Sequence, residues 1–440
     1  MTGVAGTQAA DATGPARSAR LAGFDGLRAV AALAIVGLHV TSATGAVTAT
    51  GLGKYFARLD VGVTIFFVIS AFLLYRPFVA AHLGRRGDVS LGAFWWRRAL
   101  RIYPAYWVAL TATILCFRTT ALHGFWDYAR HYLLVQIYQP KYGLAGIVPA
   151  WTLAVELSFY AALPAYAWLL GRLTRGRPTG RRAAIELAGA GVLYVFGLVW
   201  HIGVVTSRST DAVSARWLPA MSDWFALGIL LAVLQRSAHA SPRIDALRTY
   251  IDRFGDLVVA GALVAFIVVC NIGLPVDGTS GTVRQDMVRE VLFGLVAALL
   301  IAPAALGRTH RGVAMRVLDC RPAVLLGTIS YGIFLWHYEW IAQLQTWGGF
   351  DWLRSARTLT VFVLVLGLTL VTAIASWLLV ERPLLRRKDL VGAASGAAQP
   401  SDVRVPEDAD LHEQQHQGAP RDEPAGAVAD LRPDGGEPAG

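Results

Sequence analysis

Long apolar runs separated by short polar segments dominate the chain, falling at 27–46, 60–79, 102–118, 151–171, 183–203, 217–235, 256–274, 287–306, 323–343 and 357–380. Each is about twenty residues long, enough for a helix to cross a bilayer. The pattern predicts an all-α, polytopic integral membrane helix bundle of about ten transmembrane helices. Residues 1–23 are small and polar without an apolar core, so a disordered leader is expected and the first helix must act as its own insertion signal. The membrane domain is expected over 24–388. From 391 onward 10 acidic residues stand against 3 basic ones, and 389–440 should form a disordered acidic tail that cannot bury a core.

The net charge of +10 resembles a nucleic-acid footprint, but its placement argues otherwise. With the N-terminus inside, the inner segments hold 25 Lys and Arg and the outer loops 11. The positive-inside bias puts both termini in the cytoplasm of a cell-membrane protein and leaves no role for nucleic acid. Only 3 of the 40 basic residues are lysines, which with abundant Ala and Gly suggests a high-GC bacterial genome. Cys116, Cys270 and Cys320 are scattered, without metal-ligand spacing. The outer loop 119–150 interleaves Trp, Tyr and His with apolar residues and should lie at the outer interface. Trp95, Trp96, Tyr103, Tyr106 and Trp107 are expected to form an aromatic belt on the inner side.

Ionisable groups at bilayer depth are costly and mark function. The first run reads FDGLRAVAALAIVGLH, with Arg28 and His39 11 positions apart. Eleven steps of about 100° return to the same face, about 16 Å along the helix, so the two residues need separate partners. Counted from the nearest loop at about 1.5 Å per residue, His39 lies about 18 Å above the inner boundary, His337 about 21 Å above it and Glu156 about 8 Å below the outer one. All three therefore reach a similar level. A neutral imidazole, with a pKa of about 6.5, oriented by a neighbour can abstract a proton from a hydroxyl. His39 is the candidate base, with Glu156 or His337 beside it. The alternative, weaker given the shared depth, is that His39 hydrogen-bonds a neighbouring helix and only packs it. In WWRRALRIYP, Arg98 and Arg101 are i and i+3 on one helical face, suited to bidentate phosphate binding. The same arginines also fit the role of ordinary lipid anchors.

Five segments, FDGLRAVAALAIVGLH, VGVTIFFVISAFLL, RRALRIYPAYW, WTLAVELSFYAALP and SYGIFLWH, occur in this order. Together they resemble the acyltransferase-3 family of membrane proteins that O-acylate envelope polysaccharides, antibiotics and related glycosides. The resemblance covers residues 24 to about 383. It implies transfer of an acyl group, usually acetyl, from cytoplasmic acyl-CoA to a hydroxyl. It also makes Arg28 and His39 required residues, and implies no bound cofactor or metal. On this reading His39 and Glu156 are catalytic. Arg28, Arg98, Arg101, Trp151, Tyr331 and His337 bind substrate: acyl-CoA at the arginines and a carbohydrate or glycoside acceptor elsewhere. Two departures stand out. Ala71 replaces a usual glycine, which narrows the approach of a neighbour, and Tyr338 and Glu339 follow His337 where a proline commonly stands two residues on. Some relatives carry an additional extracytoplasmic hydrolase-like domain. Transfer here is expected to finish within the membrane domain or on a separate partner. The competing reading from the residues alone is a transporter or flippase of an anionic lipid-linked solute, since buried Arg, His and Glu also line transport paths.

Overall fold

The computed structural model describes residues 21, 23–387 and 390, apart from Arg86, Arg118, Ala121, 140–144, 208–211, 277–280, His310 and Ala356. Apart from Leu21, Gly23 and Leu390, the expected leader and tail lie outside the described residues. Among those described there is no strand, and the protein is a bundle of membrane-length helices. Its principal helices are α1 (Phe24–Ala43), α2 (Val61–His82), α3 (Leu91–Ala112), α4 (Gly124–Tyr132), α5 (Trp151–Thr174), α6 (Thr179–Ser207) and α7 (Ser222–Arg236). They continue as α8 (Pro242–Arg253), α9 (Gly255–Cys270), α10 (Val283–Leu306), α11 (Arg321–Thr328), α12 (Ser330–Ser355) and α13 (Thr358–Ser376). Eight described helices are long and apolar enough to cross a membrane. A ninth is counted if α8 and α9, bent by 84°, make one span.

All ten apolar runs fall on helices. The run at 323–343 is broken at Ile329 into α11 and α12 and is not among those eight. The cause is polarity turned inward: His337, Glu339 and Gln343 dilute the apolar character of α12, and all three are buried. Burial sorts the remaining helices. α2 and α7 have 67% of their apolar windows buried and form the centre, whereas the windows containing α6 and α13 have 11% and 22% and form the rim. Val192, Val195 and Val199 on α6 and Leu359, Val363 and Val371 on α13 point outward. Such apolar rims are what helices in contact with lipid present. Polar pairs stitch the centre to its neighbours, with the half-buried Arg289 of α10 on Asp60 at 2.5 Å and the buried Glu186 of α6 on His82 at 2.6 Å.

Helix α3 starts at Leu91, well before the apolar run, with Ser90 as N-cap accepting from the Ala93 amide. Arg97, Arg98 and Arg101 therefore ride on the helix itself. The early start also corrects the expected inner aromatic belt. Tyr106 lies 15 residues from the helix start, about 22 Å along it, and is fully buried. Its hydroxyl donates to the His131 carbonyl at 2.7 Å, and Trp107 donates to the Tyr132 carbonyl at 2.9 Å. Both thus bridge to α4, whose Phe125 and Trp126 are exposed, at the end opposite Trp96, which donates to the Arg387 carbonyl.

Glycines set the closest helix approaches. A Cβ on Gly327 of α11 would fall on the Asp25 carbonyl oxygen, and one on Gly26 of α1 on the Leu318 carbonyl, far inside the 3.0 Å that Cβ atoms keep. Backbone therefore meets backbone where α1 begins, which fixes the turn that carries Arg28. Ala71 of α2 does not obstruct its neighbour, because the facing residue on α7 is Gly228; a Cβ there would lie 2.6 Å from Ala71 Cβ. The small residue of the pair sits on the partner helix. Gly327→Ala should lower unfolding stability by about 1–3 kcal/mol, the scale of core overpacking. Gly367→Ala, with nothing within 4 Å of its Cβ, should not lower stability and should raise it by up to about 1 kcal/mol, the helix-propensity gain over glycine. Thermal unfolding in detergent, followed by intrinsic fluorescence, measures both.

Candidate active site

Five helices wall a cavity enclosing about 90 Å³ of water-accessible space. Helix α1 contributes Arg28, α2 Phe66 and Ser70, α3 Arg98 and Arg101, α5 Glu156 and Tyr160, and α12 Tyr331 and Phe334. Arg28 reaches Asp25 one turn earlier at 3.3 Å. Among the described residues neither Arg98 nor Arg101 has an ion-pair partner. The Arg98 guanidinium sits 5.9 Å from the Tyr160 ring centroid and 6.0 Å from that of Phe94, and its Nε lacks a hydrogen-bond partner. Stacking between rings holds a guanidinium in place while leaving its N–H groups available. Tyr331 is anchored by its hydroxyl, which donates to the Ile102 carbonyl at 2.7 Å. Three guanidiniums facing one carboxyl group make the wall suited to an anion.

Glu156 is not the partner of His39. Its Oε1 accepts from the Ser70 hydroxyl and from the Tyr160 hydroxyl, the latter at 2.5 Å, and it stands in the electrostatic field of Arg28 and Arg98. The depth count failed because α5 does not begin at the surface. Its approach segment folds into the bundle, with Ile147, Pro149 and Ala150 buried, so Glu156 belongs to the arginine layer. Trp151, the first residue of α5, is half-buried and does not line the cavity.

His39 instead meets His337. Nδ1 of His39 lies 2.9 Å from Nε2 of His337, the rings stack with centroids 5.1 Å apart, and the Tyr338 ring stands edge-on to His39 at 5.2 Å. The network assigns the tautomers. His337 Nδ1 is 3.0 Å from the Ile333 carbonyl, and a carbonyl oxygen only accepts, so the His337 proton is on Nδ1 and its Nε2 is bare. That bare nitrogen must accept from His39 Nδ1–H. With both rings neutral, His39 therefore keeps its lone pair on Nε2, the form a general base requires. His337 is fully buried while His39 is partly accessible, so the outer ring of the pair is the one able to meet substrate. Neither histidine lines the cavity. Phe66 and Phe334 close its end, edge to face at 6.1 Å, and the Phe334 ring lies 6.0 Å from that of His337.

Several of these contacts escaped sequence reasoning. Tyr160 is i+4 from Glu156 on one helix, a spacing that was readable. Ser70 and the two phenylalanines sit in an apolar run without any local signal. Glu339, where a proline was the common alternative, is buried and accepts from Thr119 at 2.7 Å, while α12 runs on unbroken.

A family model described as an acyltransferase domain matches residues 21–381. The chain belongs to that acyltransferase family. It is 28% identical to the acyltransferase MdmB of Streptomyces mycarofaciens, over 84% of this chain and 93% of that protein. It is 26% identical to the exopolysaccharide production protein ExoZ of Rhizobium meliloti, over 76% and 92% respectively. The peptidoglycan O-acetyltransferase OatA of Listeria monocytogenes is 21% identical over 72% of this chain, which spans 48% of that longer protein. No solved structure matches at a significant level. Membership decides between enzyme and transporter in favour of a membrane O-acyltransferase.

The two hydroxyls on Glu156 give a stability test of the site. Glu156→Leu should destabilise by about 1–3 kcal/mol, because it strands the Ser70 and Tyr160 donors in the bundle. Glu156→Gln keeps a carbonyl oxygen for them and should cost less than about 1 kcal/mol. Denaturation midpoints of the two variants in the same detergent compare these costs.

Proposed function

We propose that this acyltransferase moves a short acyl group, typically acetyl, from acyl-CoA held at the arginine end of the cavity to a hydroxyl of a carbohydrate or glycoside acceptor near His39. The observation that carries this reading is the His39–His337 pair, whose hydrogen bonds leave a bare nitrogen on His39 one aromatic layer away from a guanidinium-lined cavity. The cavity would receive the acyl-bearing arm of the donor, with Arg98, Arg101 and Arg28 meeting phosphate. From Arg28 to His39 the helix rises about 16 Å, a span for an extended thiol arm.

In this mechanism the acceptor hydroxyl gives its proton to His39 Nε2 as its oxygen attacks the thioester carbonyl. The new O–C bond forms, the C–S bond breaks, and the departing thiolate takes the proton from His39. Charge and atoms balance without any other reactant. His337 orients His39 and stabilises its protonated form, and the Ile333 carbonyl holds His337 in the required tautomer. Glu156 positions the arginine layer through Ser70 and Tyr160 rather than serving as base. The positive-inside bias of the sequence places the arginine end towards the cytoplasm, where acyl-CoA resides, and the cell membrane as the site of action. The names of ExoZ and OatA support an envelope glycan as acceptor, and a separate extracytoplasmic partner could receive the acyl group in turn.

His39→Ala should lower acyl transfer at least about a hundredfold, the scale of losing a general base. His337→Ala should lower it about ten- to a hundredfold by freeing the His39 tautomer. Product formation from radiolabelled acetyl-CoA, per folded molecule, reads both; full activity in folded His39→Ala protein overturns the mechanism. The double change Arg98→Ala and Arg101→Ala should weaken acetyl-CoA binding at least about tenfold, the loss of one or two charge-assisted contacts. Unchanged affinity by titration in nanodiscs would leave these arginines as lipid anchors.

A further inference from the structure

Polar and catalytic groups are separated by a single aromatic layer. On α12, Tyr331, Phe334 and His337 succeed one another every three residues, about 4.5 Å apart along the axis. Tyr331 and Phe334 line the cavity and His337 does not. On the antiparallel α2, Ser70 stands beside Glu156, and Phe66 lies one turn nearer the start of the helix. The two phenylalanine rings meet edge to face at 6.1 Å, and Phe334 contacts the ring of His337. Phe334 is buried and Phe66 half-buried, packed between the two apolar clusters of the bundle. An acyl group delivered from the arginine end must therefore bring its carbonyl past or between these rings, and its alkyl tail must lodge against them.

We propose that Phe66 and Phe334 select the length of the acyl chain, admitting acetyl and propionyl groups and excluding longer ones. The proposal rests on the acyl-CoA donor reading above. The physical basis is space. The cavity has about 90 Å³ of water-accessible space, and both rings stand in its wall. Two rings in van der Waals contact with a close-packed surround yield little without off-rotamer strain. Two carbons fit beside them, whereas six require a ring to be displaced. Truncating Phe334 opens a volume continuous with the cavity and next to His337, and truncating Phe66 widens the same part of the wall.

Binding separates this proposal from the donor reading without requiring the acceptor. Affinities of acetyl-CoA, hexanoyl-CoA and unacylated CoA are measured in nanodiscs for wild type, Phe66→Ala and Phe334→Ala. Phe66→Leu and Phe334→Leu are the variants that decide if an alanine protein fails to fold. Wild type should prefer acetyl-CoA to hexanoyl-CoA at least about tenfold, the discrimination an apolar pocket reaches over surplus methylenes. The alanine variants should bring the two ligands within about twofold, and the leucine variants should move in the same direction by less. Because each ratio is taken within one protein, partial unfolding cancels. Equal binding of both ligands by wild type, or an unchanged preference in the truncated variants, overturns the proposal while leaving the donor reading in place. Failure of acetyl-CoA and CoA alike to bind wild type overturns the donor reading and the selector with it.

Discussion

An imidazole works as a base only while its lone pair faces the substrate, and here the lone pair of His39, the proposed base, is oriented from two residues away. The Ile333 carbonyl fixes the proton of His337 on Nδ1, the bare Nε2 of His337 fixes the proton of His39, and His39 is left with its lone pair on the accessible side. The bond from His337 to the Ile333 carbonyl is buried and the one to His39 partly so, and an unmade bond at a buried group costs its full desolvation penalty. The arrangement needs α1 and α12 at a constant separation. The backbone contact of Gly26 and Gly327 across α1, α11 and the Leu318 segment supplies this at the start of α1, close to Arg28.

The second organising constraint is the sorting of charge along the bundle. Guanidiniums occupy one end of the cavity and imidazoles lie beyond its aromatic end, so the proposed anionic donor and hydroxyl acceptor would each meet matching chemistry at different depths. Glu156 stabilises the first of these environments. By accepting from Ser70 of α2 and from Tyr160 of its own helix, it joins two walls of the cavity while facing Arg98. The tyrosine it holds is the one over which Arg98 stacks. A carboxyl group with these partners organises the arginines and makes none of the histidine pair's hydrogen bonds.

Much of this was legible in the sequence, for identifiable reasons. Helix periodicity and the cost of buried charge singled out Arg28, His39, His337, Arg98 and Arg101, and the i, i+3 spacing placed the last two on the cavity wall together. The choice between Glu156 and His337 as neighbour of His39 was not legible. Depth was counted from loop boundaries, and the segment before α5 dips into the bundle with Ile147 and Ala150 buried, which a hydropathy pattern cannot register. Tyr106 and Trp107 were misplaced because α3 begins about three turns before its apolar run, capped by Ser90. Phe66 and Phe334 carried no signal at all, since an aromatic residue in an apolar helix is the commonest thing there. Their meaning arises only from what stands on either side of them.

The central claim is a single path with the donor at the arginine end and the acceptor at the histidine end. Sealed proteoliposomes with a uniform protein orientation test it most directly. Labelled acetyl-CoA is supplied to one face only, an envelope-glycan fraction to the other, and label on the glycan is counted. The account predicts label on the glycan when acetyl-CoA is given to the face bearing Trp96 and Arg387, and none when the two substrates are exchanged. Transfer only in the exchanged arrangement would contradict it.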